Sequence, residues 1–190
     1  MVIEITGYFI LFCIAVLAIF ILINAFRTKR TIKKNFGAWW IRIIVIALII
    51  ALAYFFPSFR THRLSYFSAP PLWLGILADI VVFLGLVIIL WARVVLGSNW
   101  SIITTLKEKH KLVKRGPYKY VRHPMYSGFI LLFLGIGLWI NSIISYLIVV
   151  ALSFSCWLSG KREEKLLTEH FGKEYIEYKK HTKALIPFVL

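Results

Sequence analysis

Acidic residues are scarce in this chain: 8 Asp and Glu stand against 23 Lys and Arg in 190 residues, a formal charge of +15. Such a balance often points to nucleic acid. Here it accompanies 60% hydrophobic residues gathered in long runs, and orientation against an anionic membrane leaflet is the simpler explanation. Nucleic-acid binding is set aside on that comparison. Cysteine is nearly missing too. Cys13 and Cys156 both fall in apolar runs without Cys or His at metal-ligand spacing, so inert buried thiols are expected, with no metal site. No Pro-, Gly- or Ser-rich linker divides the chain, so 1–190 reads as a single membrane domain. Repeats, low-complexity tracts and coiled-coil heptads are absent, and with no inverted half a secondary transporter is disfavoured. There is no P-loop and no soluble-type dinucleotide fingerprint. The one Gly-x-Gly, Gly135-Ile136-Gly137, lies deep in an apolar run, where small residues mean helix packing. Zinc spacing and a Gly-x-Ser-x-Gly elbow are also lacking.

What the chain does have is apolar length. Tyr8–Phe26 is 19 residues without a charge, enough to cross the hydrocarbon. Met1-Val2-Ile3-Glu4 before it offers no positive n-region, so a span is expected rather than a signal peptide. Trp39–Phe56 is closed by Pro57, with Arg42 near its start, able to snorkel. Leu72–Ala92 is interrupted by Asp79; a mid-span acid is either functional or partnered, by Arg42 or a Trp. Met125–Leu158 is 34 residues with Asn141-Ser142 near its middle. That is too long for one span and enough for two short ones, a hairpin of Tyr126–Ile140 and Ile143–Leu158 within 126–158. The tail 161–190 is charged and amphipathic, with Phe171-Gly172 as a helix end and a further turn at Tyr175–Lys179.

Charge sets the topology. The segment after the first run holds 5 Lys/Arg, Arg93–Arg122 holds 8 and the tail 7, while the loop after the second run holds only Arg60 and Arg63. Five spans put 20 of these on one side against 2 on the other, and that side is cytoplasmic by the positive-inside rule. The expectation is an all-α, polytopic integral membrane protein with five transmembrane helices. The first three spans occupy 1–92, the N-terminus lies outside and the C-terminus is cytoplasmic.

Three stretches carry candidate chemistry, all on the cytoplasmic side. In Arg122-His123-Pro124-Met125-Tyr126-Ser127-Gly128 the proline suits a first helical turn, and His123 stands beside a helix start, a natural anion site. Arg122 adds a carboxylate-matching fork; an interfacial anchoring belt is the plainer alternative. His110-Lys111-Leu112-Val113-Lys114-Arg115-Gly116-Pro117-Tyr118 is a basic run broken by a turn signal, alternatively a solvated loop facing anionic lipid. Arg162-Glu163-Glu164, directly after the last span, carries acids in a basic chain. They suit a ligand cation or ribose, or a helix N-terminus that favours acids.

The ordered set His110-x-Leu112-Val113-x-x-Gly116-x-Tyr118, Arg122-His123-Pro124-x-Tyr126, Glu163-Glu164-x-x-Leu167 and Phe171-Gly172-x-Glu174-Tyr175-x-x-Tyr178, preceded by Leu96-Gly97-Ser98-Asn99-Trp100-Ser101, resembles the isoprenylcysteine carboxyl methyltransferase family and its prokaryotic relatives. The resemblance covers about the last hundred residues. It implies a helical membrane enzyme, in a prokaryotic cell membrane, that binds S-adenosylmethionine in its half 93–190 and methylates a lipophilic or lipidated acceptor without an obligate protein partner. Carried over by position, cofactor contacts fall on His110, Lys111, Leu112, Val113, Tyr118, His123, Pro124, Met125, Tyr126, Glu163 and Glu164. Arg122 and Arg162 become the catalytic candidates. Where eukaryotic members carry a substrate-contacting Arg four residues before the Glu, this chain has Ser159, and Thr105 stands nearest an expected Gln. Phospholipid N-methylation falls under the same reading. Membrane sterol and steroid reductases, which use NADPH, also resemble the chain at Arg122-His123-Pro124-x-Tyr126-x-Gly128, but carry Asn before that Tyr and an acid after that Gly, where this chain has Met125 and Phe129.

Overall fold

Asn141 and Ser142 turn the long apolar block back on itself. Asn141 adopts the left-handed conformation (φ 50°, ψ 51°), one that Asn tolerates. Ser142 then caps the next helix: its Oγ accepts from Ile144 N at 3.3 Å, and Ser145 Oγ accepts from Ser142 N at 3.2 Å. This reciprocal box satisfies amides that would otherwise be orphaned. The result is the expected hairpin, α3 (Pro124–Ile140) and α4 (Ile143–Phe171). It belongs to a computed structural model that describes residues 2–25, 31–34, 70–97, 105–107 and 112–186. The other described elements are α1 (Val2–Ala25), α2 (Leu72–Leu96), α5 (Lys173–His181), a 3₁₀ turn (Gly116–Lys119) and two short strands, β1 (Thr31–Lys34) and β2 (Thr105–Lys107).

Glycines set the distance between helices. A Cβ on Gly128 would lie 2.8 Å from Gly85 O and 2.6 Å from Ile89 Cγ1, and one on Gly135 would lie 2.8 Å from Ala78 O and 2.5 Å from Val82 Cγ2. α2 and α3 therefore run antiparallel with their backbones nearly touching, as small residues allow in a membrane. Gly137 does the same for α4, since its Cβ would meet Val149 at 2.7 Å. Both glycines of Gly135-Ile136-Gly137 are thus packing residues, as the sequence implies. α1 lies along α2 in the same direction: Thr6 sits over Gly75, Phe9 meets Phe83 at 6.4 Å, and Trp139 Nε1 donates to Thr6 Oγ1 at 3.1 Å. Ile10, Cys13, Leu17, Val82, Leu86, Ile89 and Leu132 form the buried core of these helices.

β1 follows α1, β2 follows α2, and the two pair antiparallel (Thr31↔Lys107, Lys34↔Thr105). The basic segments after the first and third apolar runs thus meet at one end of the bundle. The expected span Trp39–Phe56, with Arg42, lies outside the described residues. This ribbon is an addition to the all-α expectation. Two helices, Leu72–Leu96 and Ile143–Phe171, are long and apolar enough to cross a membrane, while Ile5–Ile21 and Pro124–Ile140 are apolar but shorter.

One boundary differs from expectation. The helix that carries the last span does not stop at Leu158: α4 runs unbroken for 29 residues to the expected end at Phe171-Gly172. At 1.5 Å per residue that is about 43 Å, well beyond a hydrocarbon layer of about 30 Å. Lys161–Leu167 are good helix formers without proline, so nothing interrupts the helix until Gly172 (φ 53°). Glu163 and Glu164 consequently stand deep in a helix, and the macrodipole account of them fails. Gly135→Val should lower the thermal midpoint of the detergent-solubilised protein by several degrees, since overpacking costs about 1–3 kcal/mol. Thermal unfolding followed by circular dichroism checks this.

Candidate functional site

Pro124 begins α3, and His123 precedes it as the capping residue (φ −125°, ψ 59°). The imidazole is buried against α4, directly over Gly160, whose missing Cβ would lie 3.2 Å from His123 Cδ2. Glu163 and Glu164 flank that spot on the helix. His123 Nδ1 is 3.5 Å from Glu163 Oε2, and Nε2 is 3.5 Å from Glu164 Oε1. These distances are long for hydrogen bonds but close for ion pairs. The ring of Tyr126, one turn into α3, lies 5.5 Å from that of His123.

Glu164 is the saturated member of this group. Its Oε1 accepts from Arg122 Nε at 2.7 Å and its Oε2 from Lys179 Nζ at 2.8 Å, and its side chain is only 5% exposed. Glu163 is the more exposed of the two acids, at 37%. Burial works against charge on Glu164, but His123, Lys179 and Arg122 outweigh it and hold its pKa well below the usual carboxylate range. For His123, burial opposes protonation while Glu163 and Glu164 favour it, and the carboxylates win, so its pKa lies above the ordinary value. Tyr118 and Tyr175 are pushed upward, first by burial and then by the carboxylates, so both phenols stay neutral.

The segment after α5 binds this group from the other side. Val121 bridges Lys183 in parallel, with Arg122 N donating to Lys183 O at 2.8 Å and His123 N to Ala184 O at 3.0 Å. Arg122 Nη1 donates to Thr182 O and to Lys179 O, Ser127 Oγ to Leu185 O, and Tyr178 OH to Tyr118 O at 2.6 Å. Ser159 Oγ, Arg162 Nη1, Tyr175 OH and His123 Nε2 are among the buried polar atoms of the described residues that keep no hydrogen-bond partner.

Tyr118, Arg122, His123, Tyr126, Glu163 and Glu164 therefore converge. Arg122 stands differently from the free fork expected of it, because Glu164 and two tail carbonyls already engage its Nε and Nη1. Pro124 is buried at the helix start, while Met125 packs against the apolar core. Leu112 and Val113 are half-buried in the run leading to the Gly116 turn, which Lys114 ties to α5 through Glu174 at 2.8 Å. His110 and Lys111 lie outside the described residues. Sequence reasoning missed Lys179 and the pairing of Thr182–Leu185. The spacing Tyr175, Tyr178, Thr182 on an otherwise charged helix is the signal that marks its buried face.

A family model described as phospholipid methyltransferase matches residues 73–174. Protein-S-isoprenylcysteine O-methyltransferase B of Arabidopsis thaliana is 28% identical over 153 residues, 77% of this chain and 72% of the relative. Methanethiol S-methyltransferase of a Pseudomonas species is 28% identical over 195 residues, 92% of this chain and 74% of the relative. The solved structure of the eukaryotic intramembrane Ras methyltransferase, an isoprenylcysteine carboxyl methyltransferase, shares the fold with a TM-score of 0.54 at 24% identity. That match covers 82% of this chain and 54% of the other.

The cluster's effect on stability has a definite pH window. With a lowered pKa, Glu164 contributes fully above the ordinary value of 4.5 and loses its contribution as pH falls below it. With a raised pKa, His123 contributes fully below 6.5 and loses its contribution as pH rises through the folded value. Scanning calorimetry should therefore show both limbs in the wild type. Glu164→Gln should flatten the acid limb and His123→Asn the alkaline one. Glu164→Gln should also destabilise by on the order of 3 kcal/mol, because it strands Arg122 and Lys179.

Proposed function

The chain belongs to the phospholipid methyltransferase family, among its isoprenylcysteine carboxyl methyltransferase-like members, and from that premise we propose that this membrane methyltransferase binds S-adenosylmethionine beside Glu163 and methylates a lipophilic, anionic acceptor. The observation that carries the reading is the seat of His123 over Gly160, between Glu163 and Glu164. It joins two motifs about 40 residues apart and brings Glu163 to the helix start.

The donor set fits the cofactor. When bound, S-adenosylmethionine supplies a methyl on a cationic sulfonium. Tyr118 and Tyr126 are the faces to hold a cation. Glu163 offers its half-exposed carboxylate to ribose hydroxyls or the amino group. The first-turn amides of α3, beside His123, Pro124 and Met125, suit an anion. Leu112 and Val113, half-buried before the Gly116 turn, are the described residues left to wall the site. Glu164 and Arg122 act through His123, holding the ring and the loop rather than touching the cofactor.

The acceptor side rests on the orphaned donors. Arg162 and Ser159 stand one turn apart on the face of α4 that also carries Glu163, and Ser159 is nearer the membrane. Buried donors without acceptors call for an acceptor-rich group, which a carboxylate supplies and an amine does not. A carboxylate is already ionised at neutral pH and needs no general base; the chain's work is to align it with the methyl group. A prenylcysteine-like carboxylate fits this description. The five-span orientation, with N-terminus outside and C-terminus cytoplasmic, follows from placing the three basic segments on one face, and the β1–β2 ribbon supports it.

Isothermal titration of the purified protein should give heat with S-adenosylmethionine and none with NADPH; the reverse result overturns the reading. Glu163→Gln should weaken cofactor binding at least tenfold (about 1.4 kcal/mol or more). Arg162→Met should leave that affinity unchanged while cutting methylation of a farnesylated cysteine carboxylate, followed with labelled methyl donor.

A further inference from the structure

Glu164 faces three cations but has two oxygens. Arg122 Nε takes Oε1 at 2.7 Å and Lys179 Nζ takes Oε2 at 2.8 Å, which leaves His123 Nε2 as the distant third at 3.5 Å. Of the three, Lys179 is the outer one: its side chain is 39% exposed, against 10% for Arg122 and 4% for His123. It comes from α5, a separate element that touches the His123 loop and α4 at once. We propose that Lys179 is a positioning residue that sets the charge on His123 through Glu164, by taking up a share of that carboxylate's charge.

The other groups around the imidazole have fixed roles. Glu163 and Glu164 face it from α4, Arg122 comes from its own loop, Tyr126 from α3, and Tyr118 from the 3₁₀ turn with Arg93 of α2 behind it. Tyr175, Tyr178 and Lys179 come from α5. Burial pushes the phenols of Tyr118, Tyr175 and Tyr178 up and keeps them neutral, and the cations around Glu164 keep it ionised. Lys179 can be neutralised by substitution with the rest of the cluster in place. Loss of its ammonium removes one positive charge from the group and frees Glu164 Oε2 for the imidazole. Both effects favour the imidazolium. In the wild type, Lys179 therefore makes the His123 proton easier to lose, and with it the charge that faces Glu163.

The functional consequence, control of Glu163's availability to the cofactor, rests on the reading above; the electrostatic claim does not, so its test uses the ligand-free protein. Carbon-detected NMR of labelled histidine in the full-length, detergent-solubilised chain resolves the imidazoles, with His123→Asn giving the assignment. Lys179→Met and Lys179→Gln should each raise the His123 titration midpoint by about one pH unit. Lys179→Arg should keep it at the wild-type value, and Glu177→Gln, on the exposed side of α5, should not move it. A midpoint that stays put or falls in both neutral variants overturns the proposal. A midpoint that rises while S-adenosylmethionine fails to bind the wild type would overturn the cofactor reading alone.

Discussion

The site depends on one buried carboxylate. Glu164 is the point at which the His123 loop, α4 and α5 are tied, through Arg122, Lys179 and the imidazole. Desolvating a carboxylate costs several kcal/mol, and two hydrogen-bonded cations offset that cost only while all three elements stay assembled. The pairing of Thr182–Leu185 with Tyr120–His123 completes the assembly from the backbone side and fixes where the ring points. His123 then has a single seat, over a glycine that leaves room for it and between two acids of unequal openness. The closed acid holds the architecture, and the open one faces outward.

The membrane helices serve this arrangement from below. Gly85, Gly128 and Gly135 bring α2 and α3 to backbone contact, and Gly137 brings α4 against α3. The start of α3 and the stretch of α4 around Gly160 therefore lie side by side. α3 is only 17 residues, about 25 Å, whereas α4 is about 43 Å. The short helix sets the height of His123, and the long one rises past it with Gly160 and Glu163. Ser159 and Arg162 occupy the same stretch of α4.

Much of this was legible from residue types and spacing. Asn141-Ser142 marked the hairpin because few residues tolerate a left-handed turn followed by a cap. Pro124 marked a first turn, and Gly135 and Gly137 marked close packing. The charge count placed basic segments at one end, where the β1–β2 ribbon joins two of them. A drop in hydropathy at Leu158 was read as a helix end, although no residue there breaks a helix and α4 continues to Phe171. The role of Glu164 was invisible for a different reason. Which of two adjacent acids is buried depends on partners 42 and 15 residues away, and neither propensity nor periodicity records that. The same holds for Arg122, whose fork looks free until the tail is folded onto it.

The proposed seat of the cofactor is between the rings of Tyr118 and Tyr126 and the Glu163 carboxylate. Ultraviolet cross-linking of radiolabelled S-adenosylmethionine to the native protein in detergent, with the labelled peptides identified by mass spectrometry, tests it directly. The account predicts label on peptides containing Tyr118–Tyr126 and Ser159–Glu163, lost on competition with S-adenosylhomocysteine. Competable label confined to the first turns of α1 around Thr6, or to α2 between Leu72 and Asp79, would place the cofactor at the opposite end of the bundle and contradict this seat.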